Sequence, residues 1–354
     1  MRLGHDPHTC GGVGAARFLE GLVQIVVPET ITAVVNTGDD FELHGLYIAP
    51  DLDIVTCTLA GLIDQVQGWG IVGDTAECME WLGKLGGPTW FKLGDRDLAL
   101  HIRRTALLRS GWTLSAVADS FRQSLGVTIR ILPMSDTPVP THIITSVGEM
   151  HFEEYFVQRR AADEVLAVRS VGIAEARPAP GVLEAIVEAE AILLAPSNPI
   201  VSIGPIIGIP GVRAALRETS APIVAVSPIV GGAAIKGPAV PLMRASGVEP
   251  TALGIAGHYA DFLDVLVIDT VDAALAPAIE ALGVRAVVTD TIMHGAAEKA
   301  ALARVALAAA RAVGSGCIAD IVDCSPHAGS VICSPRTKWI LTRSSIDDTF
   351  IPIE

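Results

Sequence analysis

The chain has 354 residues, 50% of them hydrophobic, 18% charged and 5% aromatic, and its 25 Lys and Arg against 39 Asp and Glu leave a formal charge of −14 at pH 7. That apolar content excludes a disordered chain, because burying it offsets the entropy of ordering a core, and the acidic balance excludes a duplex-DNA binder. A phosphorylated small molecule stays compatible, and at roughly 100–200 residues per domain the length suits one large α/β domain carrying an insertion.

The first residues, MRLGHDPHTCGG, show no basic-then-apolar signal pattern, and charge, Gly or Pro interrupts every long apolar stretch before the ~18–20 residues of a membrane span. Six cysteines, at 10, 57, 78, 317, 324 and 333, form no CxxC pair. These features predict free thiols in a reducing cytoplasm and no membrane partner.

In chain order, the first motif is GGVGAARFLEGL (11–22). Gly11, Gly12 and Gly14 precede a helical pattern at once, so backbone N–H groups at a helix start face a phosphate, or the glycines are an ordinary flexible lead into a helix. An α/β nucleotide fold expects an apolar strand before such a loop, whereas MRLGHDPHTC is charged and broken by Pro.

The run ITAVVN (31–36) reads as a strand that ends in Asn36-Thr37-Gly38-Asp39-Asp40, and a helix begins near Pro50-Asp51-Leu52-Asp53. Four carboxylates thus gather at two element ends. Mg²⁺ takes oxygen ligands and binds through one or two carboxylates plus substrate phosphates, which suits Asp39 or Asp40 acting with Asp53; alternatively Asp51 simply caps the helix. Next, WFKLGDRDLALHIRRT (90–105) concentrates Lys92, Arg96, Arg103 and Arg104, with a helix starting at Gly94–Asp97 and His101 and Arg104 further along it. On spacing alone the favoured expectation is a capped helix with a solvated charged face, ahead of an anion site.

Residues 113–180 hold VTIRILP (127–133), THIITSV (141–147) and EEYFVQRR (153–160), with few helix signals after 125, and predict an inserted α+β lobe. Beyond it, AILLAP (191–196), PIVAVSP (222–228), VLVID (265–269) and RAVVTD (285–290) alternate with helical VRAALRE (212–218), TALGIAGHYADFL (251–263) and GAAEKAALARVALAAARAV (295–313). Near-continuous apolar runs are strands buried on both faces, so this order predicts an α/β core with a doubly wound, mostly parallel Rossmann-like sheet, drawn from 1–112 and 181–312. Residues 313–354 show no clear periodicity and read as a tail.

Ser197-Asn198-Pro199, where one strand ends, offers donors and acceptors to a base, sugar or phosphate, or is a common turn; Ser227, Lys236 and Gly237 follow another strand. Both lie at the carboxyl edge, where open α/β sheets bind ligands. GxSxG is absent and no histidine is spaced to a Ser or Cys nucleophile, which leaves Mg²⁺, phosphate-binding loops and aspartates as the chemistry.

Together GGVGAARFLEGL, VVNTGDDFELHGLYIAPDLDIVTCTLAG (34–61), WGIVGDT (69–75), KLGDRDLALHIRRT (92–105), ILPMSD (131–136), APSNPIVSIGPI (195–206) and SPIVGG (227–232) resemble the 2-phospho-L-lactate transferase family of deazaflavin coenzyme F(420) biosynthesis. The similarity runs in order from about residue 11 to about residue 312.

The resemblance implies that a guanosine-diphosphate-linked organic acid gives its phospho-acid moiety to the ribityl hydroxyl of 7,8-didemethyl-8-hydroxy-5-deazariboflavin (Fo) and that GMP leaves, with Mg²⁺ as the ion. It implies that Asp53 and Lys92 lie at the Fo site with Asp95 and Arg96 nearby. Asp39, Asp40 and Asp53 become the metal candidates, one of which takes the hydroxyl proton, while Gly11, Gly12, Gly14 and Ser197-Asn198-Pro199 hold the guanosine and its phosphates. Partners are then small molecules and a second copy of the chain in a homodimer, with no nucleic acid. The family opens with an apolar strand leading into its glycine loop, which MRLGHDPHTC does not supply, and the segment beyond 313 has no counterpart. Two other readings stand beside this one. A nucleotide-sugar-binding regulator of the gluconeogenesis-factor type is one, against which KLGDRD and HFEEYF (151–156) speak. The other is a transferase scaffold inactive for want of its first strand.

Overall fold

The computed structural model describes residues 14–64, 70–235 and 237–314, together with the backbone of 338–342. After helix α1 (Gly14–Leu22) the chain forms β1 (Ile31–Val35), a hairpin of β2 (Phe41–Leu43) and β3 (Leu46–Ile48), then helices α2 (Pro50–Leu59), α3 (Glu77–Lys84), α4 (Asp95–Arg109) and α5 (Leu114–Ser124). It continues through β4 (Arg130–Pro133), β5 (Thr141–Thr145), β6 (Gly148–His151), β7 (Val165–Ser170), β8 (Ile192–Leu194), β9 (Ile223–Val226), the short pair β10 (Ile229–Val230) and β11 (Ala233–Ala234), β12 (Val265–Asp269), β13 (Arg285–Thr289) and β14 (Lys338–Thr342).

Seven of these strands make one parallel sheet, in the order β13-β12-β9-β8-β14-β1-β4. Five of its strands, β1, β8, β9, β12 and β13, are the expected apolar runs, and the central β1, β8, β9 and β12 are buried at every residue. Alternation along β1 sends Ile31, Ala33 and Val35 into a core beneath α1, α2, α5 and the long helix Ala296–Gly314, and Val34 into a second core on the opposite face. Both faces are covered, the condition that stabilises a parallel sheet. Contact between α1 and the long helix is close enough that a Cβ on Gly21 would strike the Lys299 carbonyl, and the Lys299 Nζ meets Glu20 at 2.6 Å beside it.

Two expectations are corrected. The tail supplies a sheet strand: β14 runs parallel between β1 and β8, with Ala33 opposite Ile340 and Leu193 opposite the same residue on the other side. Without it β1 and β8 would stand about 10 Å apart with unpaired edges, twice the normal strand spacing. The boundary at 113 also moves, because α5 packs on the main core and β4 pairs with β1. The separate lobe is the antiparallel sheet β6-β5-β7 and the π-helical segment Glu154–Gln158, with its own small core around Ile143, Phe152 and Tyr155.

Candidate functional site

The loop that leaves β1 is organised by one buried amide. Asn36 donates through Nδ2 to Asp51 Oδ2 at 2.9 Å and to the Val201 carbonyl at 3.4 Å, and its Oδ1 accepts the Gly38 N–H at 2.9 Å. It therefore ties together the exit of β1, the first turn of α2 and the turn beyond β8. In that turn Asn198 accepts from the Ile200 and Val201 N–H groups and starts the π-helical segment Pro199–Ile203. The start of α1 closes the same edge: a Cβ on Gly14 would collide with the Pro196 carbonyl, so glycine permits the helix to reach the strand exit.

Around this junction Asp39 and Asp51 are fully buried and Asp40 nearly so. Tyr47, on β3, donates its hydroxyl to Asp40 Oδ2 at 2.9 Å, while Asp40 Oδ1 is buried without a hydrogen-bond donor. Burial pushes the Asp40 carboxyl well above the usual carboxylate range; the Tyr47 hydroxyl and Arg104 oppose the shift, and the nearby charges of Asp51 and Asp39 add to it.

Next to these acids lies a pocket, open to solvent on one side, between the β2–β3 hairpin, α2 and α4. Ile48, Ile54, Ile63, Ile71, Phe91 and Leu93 make apolar walls, and Asp53, Lys92, Asp97 and His101 bring polar groups to them. Apolar walls with a few convergent polar groups suit a planar organic ligand.

One buried cation joins pocket and acids. The Arg104 guanidinium, 2% exposed, pairs with Asp53 through Nη2, while Nη1 donates to His101 Nδ1 at 3.1 Å and to the Tyr47 carbonyl at 3.3 Å. It lies 5.5 Å from the centre of the Phe121 ring. His101 Nδ1 also stands 3.5 Å from Asp53 Oδ2; because a guanidinium can only donate, the shorter contact with Arg104 makes Nδ1 an acceptor and assigns the ring proton to Nε2. Burial, assisted by Arg104 and opposed by Asp53, lowers the His101 pKa to about 4 and keeps the ring neutral. Asp97, one turn before His101, accepts the Gly94 N–H at 3.1 Å, and burial raises its pKa to about 6.

The residues singled out from the sequence therefore separate. Gly11, Gly12 and Lys236 lie outside the described residues. Gly14, Ser197, Asn198 and Pro199 meet at the carboxyl edge beside Asp39 and Asp40, and Asp53 and Lys92 line the pocket. Asp95 and Arg96 serve a different purpose. The Asp95 carboxylate accepts from Thr75 Oγ1 at 2.5 Å and from the Glu77 and Cys78 N–H groups at the start of α3; Arg96 donates to the Val72 carbonyl at 2.6 Å. Both pin the 72–78 segment, next to the pocket wall at Ile71, to the start of α4.

The expectation of a capped helix with a solvated charged face holds for the Gly94 cap and for the exposed Lys92, Arg96 and Arg103, and fails for His101 and Arg104, which are 3% and 2% exposed. Nor do Asp39, Asp40 and Asp53 form one metal set, because Asp53 is held by Arg104. Among the described residues no three His, Cys, Asp or Glu side chains are grouped to hold a metal by themselves. Asp40 Oδ1, a buried oxygen lacking a donor with Asp39 adjacent in the chain, fits the smaller donor set that Mg²⁺ uses when phosphates complete its shell. Tyr47, Asp97, His101 and Arg104 are the site residues that the motif reading missed. The spacing of Asp97, His101 and Arg104, four and three apart on one helix face, is the signal that carries them.

A doubly wound sheet with buried acids, a helix start and an apolar pocket at its carboxyl edge is the frame of a nucleotide- and phosphate-handling α/β protein. A family model described as 2-phospho-L-lactate transferase CofD matches residues 8–309. The phosphoenolpyruvate transferase of Streptomyces griseus is 47% identical over 309 residues, covering 86% of this chain and 97% of its own. The 2-phospho-L-lactate transferase of Methanothermobacter thermautotrophicus is 44% identical over 297 residues, covering 84% and 95%. In fold, the chain is similar to a Bacillus halodurans protein of the UPF0052 family, with a TM-score of 0.53 at 16% identity over 83% of this chain and 95% of that one. The chain belongs to the CofD family of 2-phospho-L-lactate transferases, and it is a transferase. The family match stops before β14, so that strand comes from outside the matched span.

Proposed function

We propose that the protein transfers a phospho-acid from a guanosine-diphosphate-linked donor to the ribityl hydroxyl of Fo and releases GMP. One observation carries the reading: an apolar pocket with Asp53 and Lys92 on its wall stands next to the buried Asp39, Asp40 and Asp51, with Arg104 and Tyr47 between them. Fo occupies the pocket with its ring against the apolar walls, and the guanosine and its phosphates lie along the Gly14 and Ser197-Asn198-Pro199 edge.

In the reaction the ribityl oxygen attacks the phosphorus that bears the acid. The P–O bond to the second phosphate breaks, the electron pair leaves with GMP, and the hydroxyl proton passes to a carboxylate. Of the three aspartates considered for that proton, Asp40 suits the task best: burial raises its proton affinity and its Oδ1 has no donor of its own, whereas Asp53 is committed to Arg104. Asp53 is then an anchor, fixed by Arg104 and aimed at the acceptor. Mg²⁺ held by Asp39 and the donor's phosphates would neutralise charge on the leaving phosphate, which leaves Asp40 Oδ1 to the proton. Lys92 adds positive charge from the pocket side.

Relatives named for phosphoenolpyruvate and for 2-phospholactate are both over 40% identical, so donors of these two acids are the first to try. Mass spectrometry of the purified protein with Fo, Mg²⁺ and guanylylated 2-phospholactate, phosphoenolpyruvate or phosphoglycerate tests the reading. The expected result is a phosphodiester adduct of Fo and a stoichiometric amount of GMP with one donor. Folded protein that yields neither product with any donor would overturn it.

A further inference from the structure

The pocket carries two polar side chains that the transfer chemistry leaves unused. Asp97 and His101 lie four residues apart on α4, both line the pocket, and neighbours at that spacing are about 6 Å apart on one helix face. Their hydrogen-bonding states are complementary. Asp97 gives Oδ2 to the Gly94 N–H, which leaves Oδ1 as an acceptor. His101 is bound to an obligate donor through Nδ1, so Nε2 carries hydrogen and can only donate. An acceptor and a donor side by side on an apolar wall match a ring edge with a donor and an acceptor of its own.

We propose that Asp97 and His101 determine acceptor specificity by reading the hydrogen-bonding edge of a planar heteroaromatic ring, with Arg104 fixing the histidine tautomer. The walls supply contact area but little discrimination, since an apolar pocket separates close analogues by only about 10–200-fold, whereas a polar pair left unmatched rejects the wrong ring far more strongly. Burial accounts for the rest of the design. A carboxylate needed only to cap α4 is best left in water, yet this one lines the pocket and burial disfavours its charge. A ring N–H or O–H bound to Oδ1 offsets that penalty when the acceptor is present. Arg104 is a positioning residue in this scheme, acting on the acceptor only through His101 and Asp53.

The inference rests on the transfer reading, and steady-state kinetics with varied Fo, joined to equilibrium titration of Fo onto the protein, separates the two. Asp97→Asn keeps an oxygen for the Gly94 cap and His101→Gln keeps an acceptor for Arg104 and an N–H for the ligand, so both preserve the fold; His101→Leu removes both functions. The expected result is an acceptor KM raised about tenfold or more in Asp97→Asn and in His101→Leu, and restored to within about threefold of wild type in His101→Gln. In each variant kcat at saturating Fo and the KM for the guanylylated donor stay within about threefold. Acceptor KM unchanged in folded Asp97→Asn and His101→Leu, or donor KM rising in step with it, would overturn the specificity role while leaving transfer intact. A wild-type protein that neither binds Fo nor releases GMP would remove the transfer reading itself, and the inference with it.

Discussion

At the exit of β1, Asp40 is buried beside Asp39 and meets a neutral tyrosine hydroxyl, whereas Asp53 on α2 is gripped by the Arg104 guanidinium. Both acids face the same small region of the carboxyl edge, and the chain treats them oppositely. Asp53 has its countercharge built in, so its geometry is set before any ligand arrives. Asp40 is left with an uncommitted oxygen, and the cost of burying its charge is relieved when a proton or a cation joins it. An acid neutralised by the chain serves as an anchor; one left to be neutralised by its ligands serves where protons and phosphates move.

The largest effect that distinguishes them belongs to Asp40. Asp40→Asn keeps the shape and the Tyr47 contact but removes the base, and GMP release at saturating substrates is expected to fall by about 10²–10⁴-fold with the Fo dissociation constant little changed. Asp53→Asn is expected to do the reverse, weakening Fo binding more than turnover. A loss in Asp40→Asn of less than about tenfold would exchange the two roles.

Arg104→Ala attacks the anchor's side of the comparison through stability. It leaves Asp53 without its partner and the His101 Nδ1 without its donor, and breaking one side of a buried pair destabilises by about 3–5 kcal/mol. Denaturant unfolding of Arg104→Ala and of the double variant Arg104→Ala/Asp53→Asn checks this. The double variant should regain part of the loss, because it removes the charge that was stranded. A double variant less stable than the single would mean that Asp53 contributes to the fold independently of Arg104.

Acid sensitivity sharpens the picture further. Burial lowers the pKa of both His101 and His151 from 6.5 to about 4, so their neutral forms favour the folded state. That contribution is present above pH 6.5 and is lost as the pH falls toward 4, by up to about 3 kcal/mol for each ring. Asp97 has the opposite sign: its folded pKa of about 6 lies above the ordinary 3.8, so its penalty is relieved over the same descent. Asp97→Asn therefore should show a steeper loss of unfolding free energy between pH 7 and pH 5 than wild type. Equal slopes would indicate that Asp97 is solvated in the folded protein.

How much of this was legible follows from what each feature depends on. The strands at 31–36, 191–196, 222–228 and 265–269 declared themselves because burial on both faces demands unbroken apolar runs, the edge strand at 285–290 because its β-branched run is local although only Val287 is buried, and the helix at 212–218 because its apolar spacing is local. The carboxyl-edge loops were legible for the same reason. Strand β14 was not, since five residues within a run of charge, Gly and Pro hold no period, and only the gap between β1 and β8 gives them a place. Arg104 escaped for a different reason: a cationic residue in a basic run reads as solvated, and its partner Asp53 lies 51 residues earlier. Pairing across such a separation is a tertiary fact. The missed specificity pair and the missed positioning residue share that origin, whereas Asp39, Asp40 and Asp53 were visible because they end local elements.

Tyr47→Phe makes the finest cut between the two acids. It deletes one hydrogen bond to Asp40 and leaves Arg104, Asp53 and the pocket wall untouched, so folding should change by only about 1 kcal/mol. The hydroxyl lowers the Asp40 pKa, and its loss should raise that pKa further. Because the base must be ionised to accept the ribityl proton, the acidic limb of the kcat–pH profile should move to higher pH. Turnover would drop several-fold on that limb and recover toward wild type in more alkaline buffer. Asp53 has no bond to this hydroxyl, and a profile controlled by Asp53 would not move. A Tyr47→Phe enzyme with an unshifted acidic limb and a uniformly lower kcat would assign Tyr47 to the shape of the hairpin and take the proton-accepting role away from Asp40.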